Sequence, residues 1–150
     1  MQPLDAWEPR ELAGTESATR PFLSPDGEWI AYFRAEPLLK VPADRGPVVR
    51  VATLPAVQAP LGANSGVWRP DGTIIVSLAV GPLLRVPAGG GEVATFADIP
   101  PDVALNLLSL LPDDSLLVGV NRAGGMHAIG VLDDGALRVV LDASDVSHPR

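Results

Sequence analysis

Ser24-Pro25-Asp26-Gly27-Glu28-Trp29-Ile30-Ala31-Tyr32-Phe33 decides the fold, because its pattern returns at Arg69-Pro70-Asp71-Gly72-Thr73-Ile74-Ile75-Val76-Ser77-Leu78. A weaker copy follows at Leu111-Pro112-Asp113-Asp114-Ser115-Leu116-Leu117-Val118-Gly119-Val120. The prolines are 45 and then 42 residues apart. A second landmark keeps the same beat: Leu38-Leu39-Lys40-Val41-Pro42-Ala43 returns as Leu83-Leu84-Arg85-Val86-Pro87-Ala88, and Val131 lies a further 45 residues on. From Pro to Val the first two units spend 16 residues and the third spends 19, so three residues are expected to be inserted near Asn121 to Gly125, in a loop.

A period of this length suits four short strands or a pair of helices. The local chemistry favours strands. Proline presets the first turn position and glycine accepts positive φ where a hairpin closes, so Pro25-Asp26-Gly27, Pro70-Asp71-Gly72 and Pro112-Asp113 are read as structural turns. The Asp side chains are expected to hold these turns by accepting nearby amides. The apolar runs that follow are too short for helices and rich in β-branched or aromatic residues. Their nearly continuous apolar character fits strands covered on both faces. Asp102 could cap a helix with Ala104, Leu107, Leu108 and Leu111 on one side. Alignment with Arg20 to Leu23 and Ser65 to Trp68 makes that segment an inner strand instead.

Each unit then reads as four strands. In the first they are 18–23, 29–34, 38–42 and 48–54; in the second, 66–68, 73–79, 83–87 and 92–96; in the third, 105–110, 115–121, 127–132 and 137–141. The expected fold is all-β: a partial β-propeller of three four-stranded blades plus flanking strands of neighbouring blades. The expected boundaries within one propeller segment are 1–16 for the end of a preceding blade, 17–55, 63–99 and 104–143 for the three blades, and 144–150 for the start of a following one.

Composition narrows the function. Eighteen acidic against eleven basic residues give a net charge of −7, and no basic stripe is present, which disfavours nucleic acid or an anionic membrane as partner. The absence of cysteine removes disulfides and thiolate metal sites. Residues 1–20 lack the pattern of a signal peptide, and no apolar run is long enough for a transmembrane helix, so a soluble chain is expected.

The search for chemistry finds turns and packing. Ser65 lacks the spacing of a nucleophile elbow. His127 and His148 are the two histidines, too few for a three-histidine zinc site. Gly89-Gly90-Gly91 lacks the lysine and the helix of a phosphate loop, and Asp133-Asp134-Gly135 lacks the further ligands of a calcium loop. A ring of Asp26, Asp71 and Asp113 around a cation is a weaker alternative to three separate turns. Trp29 and Trp68 are expected to pack between blades, while Trp7 has no assigned role. No catalytic residue, cofactor or metal ligand is assigned.

Pro21 to Phe33, the Leu39-Lys40-Val41-Pro42-Ala43 run and Trp68 to Val76 resemble the TolB-like propeller repeats often attached to bacterial serine/threonine kinases. The lead-in Pro3-Leu4-Asp5 and Leu12-Ala13-Gly14-Thr15-Glu16 resembles the end of a preceding blade in those proteins. The resemblance covers nearly the whole chain, and is weakest in the third unit, where Asp114 replaces the turn glycine. It implies a scaffold that binds a protein or small ligand through its loops, and an extracytoplasmic location if the chain derives from a kinase sensor region. The kinase signatures are absent from this sequence. The functional expectation is therefore a non-catalytic recognition module. The rivals are an accessory or sensor propeller of a kinase or peptidase whose catalytic domain lies outside this chain, and a free-standing hydrolase.

Three blades are fewer than propellers ordinarily use to close, so self-association or further blades are expected. Two copies joined in a six-bladed ring with two-fold symmetry is one such arrangement.

Overall fold

The computed structural model describes residues 12–34, 37–54, 63–78, 81–100, 102–122, 126–133 and 136–142. The expected blade fragment at 144–150, most of the one at 1–16, and Trp7 and His148 lie outside them. Among the described residues twelve strands form three antiparallel four-stranded sheets. Blade one contains β1 (Thr19–Leu23), β2 (Trp29–Phe33), β3 (Pro37–Pro42) and β4 (Val49–Thr53). Blade two contains β5 (Ala63–Trp68), β6 (Thr73–Leu78), β7 (Leu83–Pro87) and β8 (Ala94–Ala97), and blade three β9 (Val103–Leu110), β10 (Leu116–Arg122), β11 (Met126–Asp133) and β12 (Ala136–Asp142). Each sheet is a meander in chain order. The possible helix after Asp102 is the strand β9, and no helix is present among the described residues. The expected strands differ at their ends; β5 begins three residues earlier than Gly66.

Consecutive blades meet at their first strands, β1 beside β5 and β5 beside β9. Two apolar cores fill the gaps. Between blades one and two lie Ala31, Phe33, Leu38 and Val51 from one side and Ile74, Val76, Leu84 and Val86 from the other. Between blades two and three, Ile75, Leu83 and Ala97 meet Leu105, Leu116, Val118 and Leu132. Burial on both faces of β6 explains why its apolar run does not alternate.

The sequence repeat and the structural repeat differ by one residue at two places. Ser24 N donates to Trp29 O at 2.9 Å, whereas Arg69 N donates to Thr73 O and Leu111 N to Ser115 O, each at 2.8 Å. The first turn is thus one residue longer, the extra residue being Glu28. As a result Ile30 pairs with Val41 just as Ile74 pairs with Val86, although alignment on Pro-Asp-Gly sets Trp29 against Ile74. Successive strand residues point to opposite faces, so the slip exchanges which side chains meet the next blade. In blade three Leu116 pairs with Leu132 and Leu117 with Val131. Leu132, not Val131, therefore takes the place of Val86, and the insertion is one residue longer than the Val131 spacing implied.

Each outer strand carries a one-residue bulge at the same step of its ladder, between Leu38 and Leu39, Leu83 and Leu84, and Ile129 and Gly130. The extra residues are Val51, Phe96 and Val140. Bulges increase local twist, which suits outer strands splayed around a common axis.

On the far face of blade one, Tyr32, Leu39 and Val41 form a third cluster with Ile30 and Val48, covered by Leu12 and Ala18. The lead-in is tied down: Tyr32 Oη donates to Gly14 O at 3.0 Å, Arg34 Nη2 donates to the same carbonyl, and Thr15 Oγ1 donates to Leu12 O at 2.6 Å. Burial raises the Tyr32 phenol above its ordinary pKa, with Arg34 opposing. Gly14, at φ 86°, accepts this turn, and Val48 leaves no room for a Cβ there.

Candidate binding surface at the hairpin end

The Pro-Asp-Gly turns and the connections between third and fourth strands lie at one end of the blades and are bonded together. Ala43 N donates to Glu28 O in blade one and Ala88 N to Gly72 O in blade two, both at 2.8 Å. Each turn carboxylate is occupied locally. Asp26 Oδ1 accepts Glu28 N at 2.9 Å and the Ser24 hydroxyl, whose oxygen in turn accepts Trp29 N at 3.0 Å. Asp71 Oδ1 accepts Thr73 N at 2.9 Å, and Asp113 Oδ1 accepts Ser115 N at 3.1 Å together with the Ser115 hydroxyl. The Ser24 hydroxyl, then the Glu28 amide, hold the Asp26 carboxyl below its ordinary pKa; the Ser115 hydroxyl and amide do the same for Asp113. Gly27 and Gly72 close their turns at φ 74° and 85°, and Asp114 adopts φ 66° at the matching position.

Pro25, Pro70 and Pro112 all sit within these turns. The three Asp residues serve separate turns, and among the described residues no three His, Cys, Asp or Glu side chains gather around a possible metal position. Arg20 is exposed at the β1 bulge with φ 50°, and Ser65 is half-buried on β5. His127 lies in β11, its backbone opposite Asn121. Gly89 to Gly91 form the β7–β8 connection, with Gly90 at φ 93°. Of Asp133-Asp134-Gly135, only Asp133, the last residue of β11, is described.

Two hollows flank the third strands at this end. One, of about 360 Å³, is lined by Leu12, Ala13, Val41, Pro42, Asp44, Arg45 and Gly46. The other, of about 340 Å³, is lined by Thr73, Arg85, Pro87, Glu92 and Ala94. Each combines apolar walls with one acidic and one basic side chain, a mixture suited to orienting a ligand. Sequence reasoning missed these pairs. Arg85 was visible as the counterpart of Lys40 in the repeat, but nothing in the sequence singled out Asp44, Arg45 or Glu92.

Lys40 has a different task from Arg85. Its Nζ lies 4.6 Å from the Trp29 ring centroid and 5.9 Å from that of Trp68, and donates to Ala88 O at 2.8 Å. The half-buried lysine thus clasps blade one to blade two. The expected packing role of the two tryptophans is realised around this cation. Arg69 stands 6.0 Å from the Phe96 ring.

Three antiparallel blades meeting at their inner strands make this an all-β chain of β-propeller architecture. A calcium-binding protein, regucalcin, from Agrobacterium tumefaciens has a similar fold, with a TM-score of 0.60 at 14% identity over 83% of this chain. The chain spans 43% of that protein's length. No protein-family model and no curated protein matches the sequence. No helix among the described residues is long and apolar enough to cross a membrane.

Proposed function

We propose that this chain is a non-catalytic recognition module that binds a small ligand or a protein segment at the hairpin end of its blades. The observation that carries this reading is the pair of mixed-charge hollows on successive blades, Asp44 with Arg45 and Arg85 with Glu92. Loops held on a rigid strand scaffold are where binding residues concentrate. The turn hydrogen bonds supply that rigidity here. A ligand bearing both an anionic and a cationic group matches either hollow. The calcium binding named for the regucalcin neighbour suggests a cation as another ligand. The turn carboxylates do not favour it, since each already holds its own turn.

The test is a screen of zwitterionic fragments and short peptides against isotope-labelled chain, followed by amide chemical shifts. Perturbations should concentrate at 24–28, 43–48, 69–73 and 88–94, and Arg85→Ala should abolish those of blade two. Hits that leave these segments unmoved would overturn the reading. So would turnover of generic esterase, peptidase or lactonase substrates that is lost on mutating a residue of this chain.

A further inference from the structure

The gap between blades one and two and the gap between blades two and three differ at the hairpin end. In the first, Trp29 and Lys40 of blade one and Trp68 of blade two fill the space. Ladder position gives their counterparts in the second gap. Trp29 pairs with Pro42 as Thr73 pairs with Pro87, and Lys40 pairs with Ala31 as Arg85 pairs with Ile75. Trp68 pairs with Ile74 as Leu110 pairs with Leu116. A threonine and a leucine thus stand where the first gap has two indoles. The hollow of about 340 Å³ on blade two opens at this place, with Thr73, Arg85 and Pro87 among its walls.

Directly paired strand residues share a face, and Val67 and Ile75 pack toward blade three, so Thr73 and Arg85 turn the same way. A second guanidinium joins them. The Arg69 amide donates to Thr73 O, and its side chain stands 6.0 Å from the ring of Phe96, a neighbour along β8 of Ala94 in the wall of the hollow. The blade-one counterpart of Arg69 is Ser24, whose hydroxyl is used within its own turn. Arg69 Nε instead is buried with no hydrogen-bond partner among the described residues. Arg34 Nε is in the same condition, but the Arg34 guanidinium already serves Gly14 O and Glu16. A buried donor without an acceptor is unfavourable, and an anionic ligand group supplies one. Across the hollow, Glu92 is exposed and is not paired with Arg85.

We infer that the blade-two hollow takes a free aromatic amino acid, which rests on the binding role proposed above for the hairpin end and assigns a ligand class to one of its hollows. The ring occupies the place over Thr73 and Pro87 that Trp29 fills in blade one, against the Arg85 guanidinium as the Trp29 ring lies against Lys40. The carboxylate engages Arg69, and the ammonium meets Glu92. The first gap has no such vacancy, because the chain's own indoles fill it.

The probe is free tryptophan, titrated into isotope-labelled chain. Amides of Arg69, Thr73, Arg85 and Glu92 should shift, while those of Trp29 and Lys40 should not. Alanine, tryptamine and indole-3-propionate each lack one of the three groups and should bind at least about ten-fold more weakly. Thr73→Trp supplies the missing indole from within and should block the site with the far-ultraviolet spectrum unchanged. Arg69→Met, an independent check outside the strands, should weaken tryptophan at least about ten-fold. Alanine or tryptamine binding as tightly as tryptophan, or tryptophan binding untouched by both variants, would overturn the assignment. Hairpin-end shifts with other zwitterions but none with tryptophan would sink this assignment alone. No shift with any zwitterion or peptide would sink the hairpin-end reading with it.

Discussion

The gap between blades one and two and the gap between blades two and three are built on the same ladder positions and filled in different ways. The first uses aromatic bulk. Phe33 is buried, Phe22 stands 5.9 Å from it, Trp68 packs from the other side, and Lys40 bridges Trp29 and Trp68. The second is mostly aliphatic. The counterpart of Phe33 is Ser77, buried, with its hydroxyl donating to Leu105 O. Blade-to-blade packing thus conserves positions and apolar area, while the residues trade ring volume against hydrogen bonding. A repeat can drift in sequence and still stack, provided each gap is filled and each buried polar group is satisfied.

The largest expected effect comes from emptying the aromatic gap. Phe33→Ala should destabilise the fold by about 3–5 kcal/mol, whereas Ser77→Ala should cost roughly 1–3 kcal/mol through the lost hydrogen bond. Urea unfolding measures both, and equal losses would erase the contrast between the gaps.

Next is the seat of Phe22. Gly66 of β5 lies directly under that ring, and a Cβ there would collide with it. Gly66→Ala should therefore cost about 1–3 kcal/mol by overpacking the first gap alone. A melting temperature equal to wild type would show that the ring can move aside.

The clasp is smaller. Lys40→Met should cost about 1 kcal/mol by removing the cation over two indoles and the bond to Ala88 O, while Arg85→Met, exposed at the corresponding position, should stay within roughly 0.5 kcal/mol of wild type. Equivalence of the two variants in thermal melts would make Lys40 a surface residue.

The turns give a change of opposite sign. Asp114 adopts φ 66° where Gly27 and Gly72 stand in the other blades. Asp114→Gly should stabilise by about 0.5–1 kcal/mol, as strain relief outweighs the added freedom of the unfolded glycine. A lower midpoint in urea would mean that Asp114 makes contacts worth more than its strain.

The smallest effect is on acid stability. The Asp26 and Asp113 carboxyls have folded pKa values below 3.8, so their contribution is present above about that pH and is lost as pH falls through the folded values. Acid titration of Asp26→Asn should show a shallower decline than wild type below pH 3.8. An unchanged slope would detach the turn bonds from stability.

The residues themselves determined the all-β character, the number of repeats on the page and the position of each Pro-Asp-Gly turn. These follow from local chemistry: proline fixes one dihedral, aspartate accepts nearby amides, glycine takes positive φ, and short β-branched runs favour extended backbone. The possible helix after Asp102 was also settled within the sequence, by alignment with the neighbouring repeats. Facing was beyond its reach. Glu28 lengthens one turn by a single residue and reverses which β2 side chains meet the next blade, and no local preference at Glu28 announces this. The same holds for Leu132 in place of Val131, and for the three bulges. Such features are set when whole strands choose the register that buries the most apolar surface, a choice made between segments far apart in the chain. The Lys40 clasp and the two hollows depend on residues brought together across strands and blades. Only the assembled blades, therefore, decided that Lys40 became a bridge between blades while Arg85, at the corresponding position, stayed exposed.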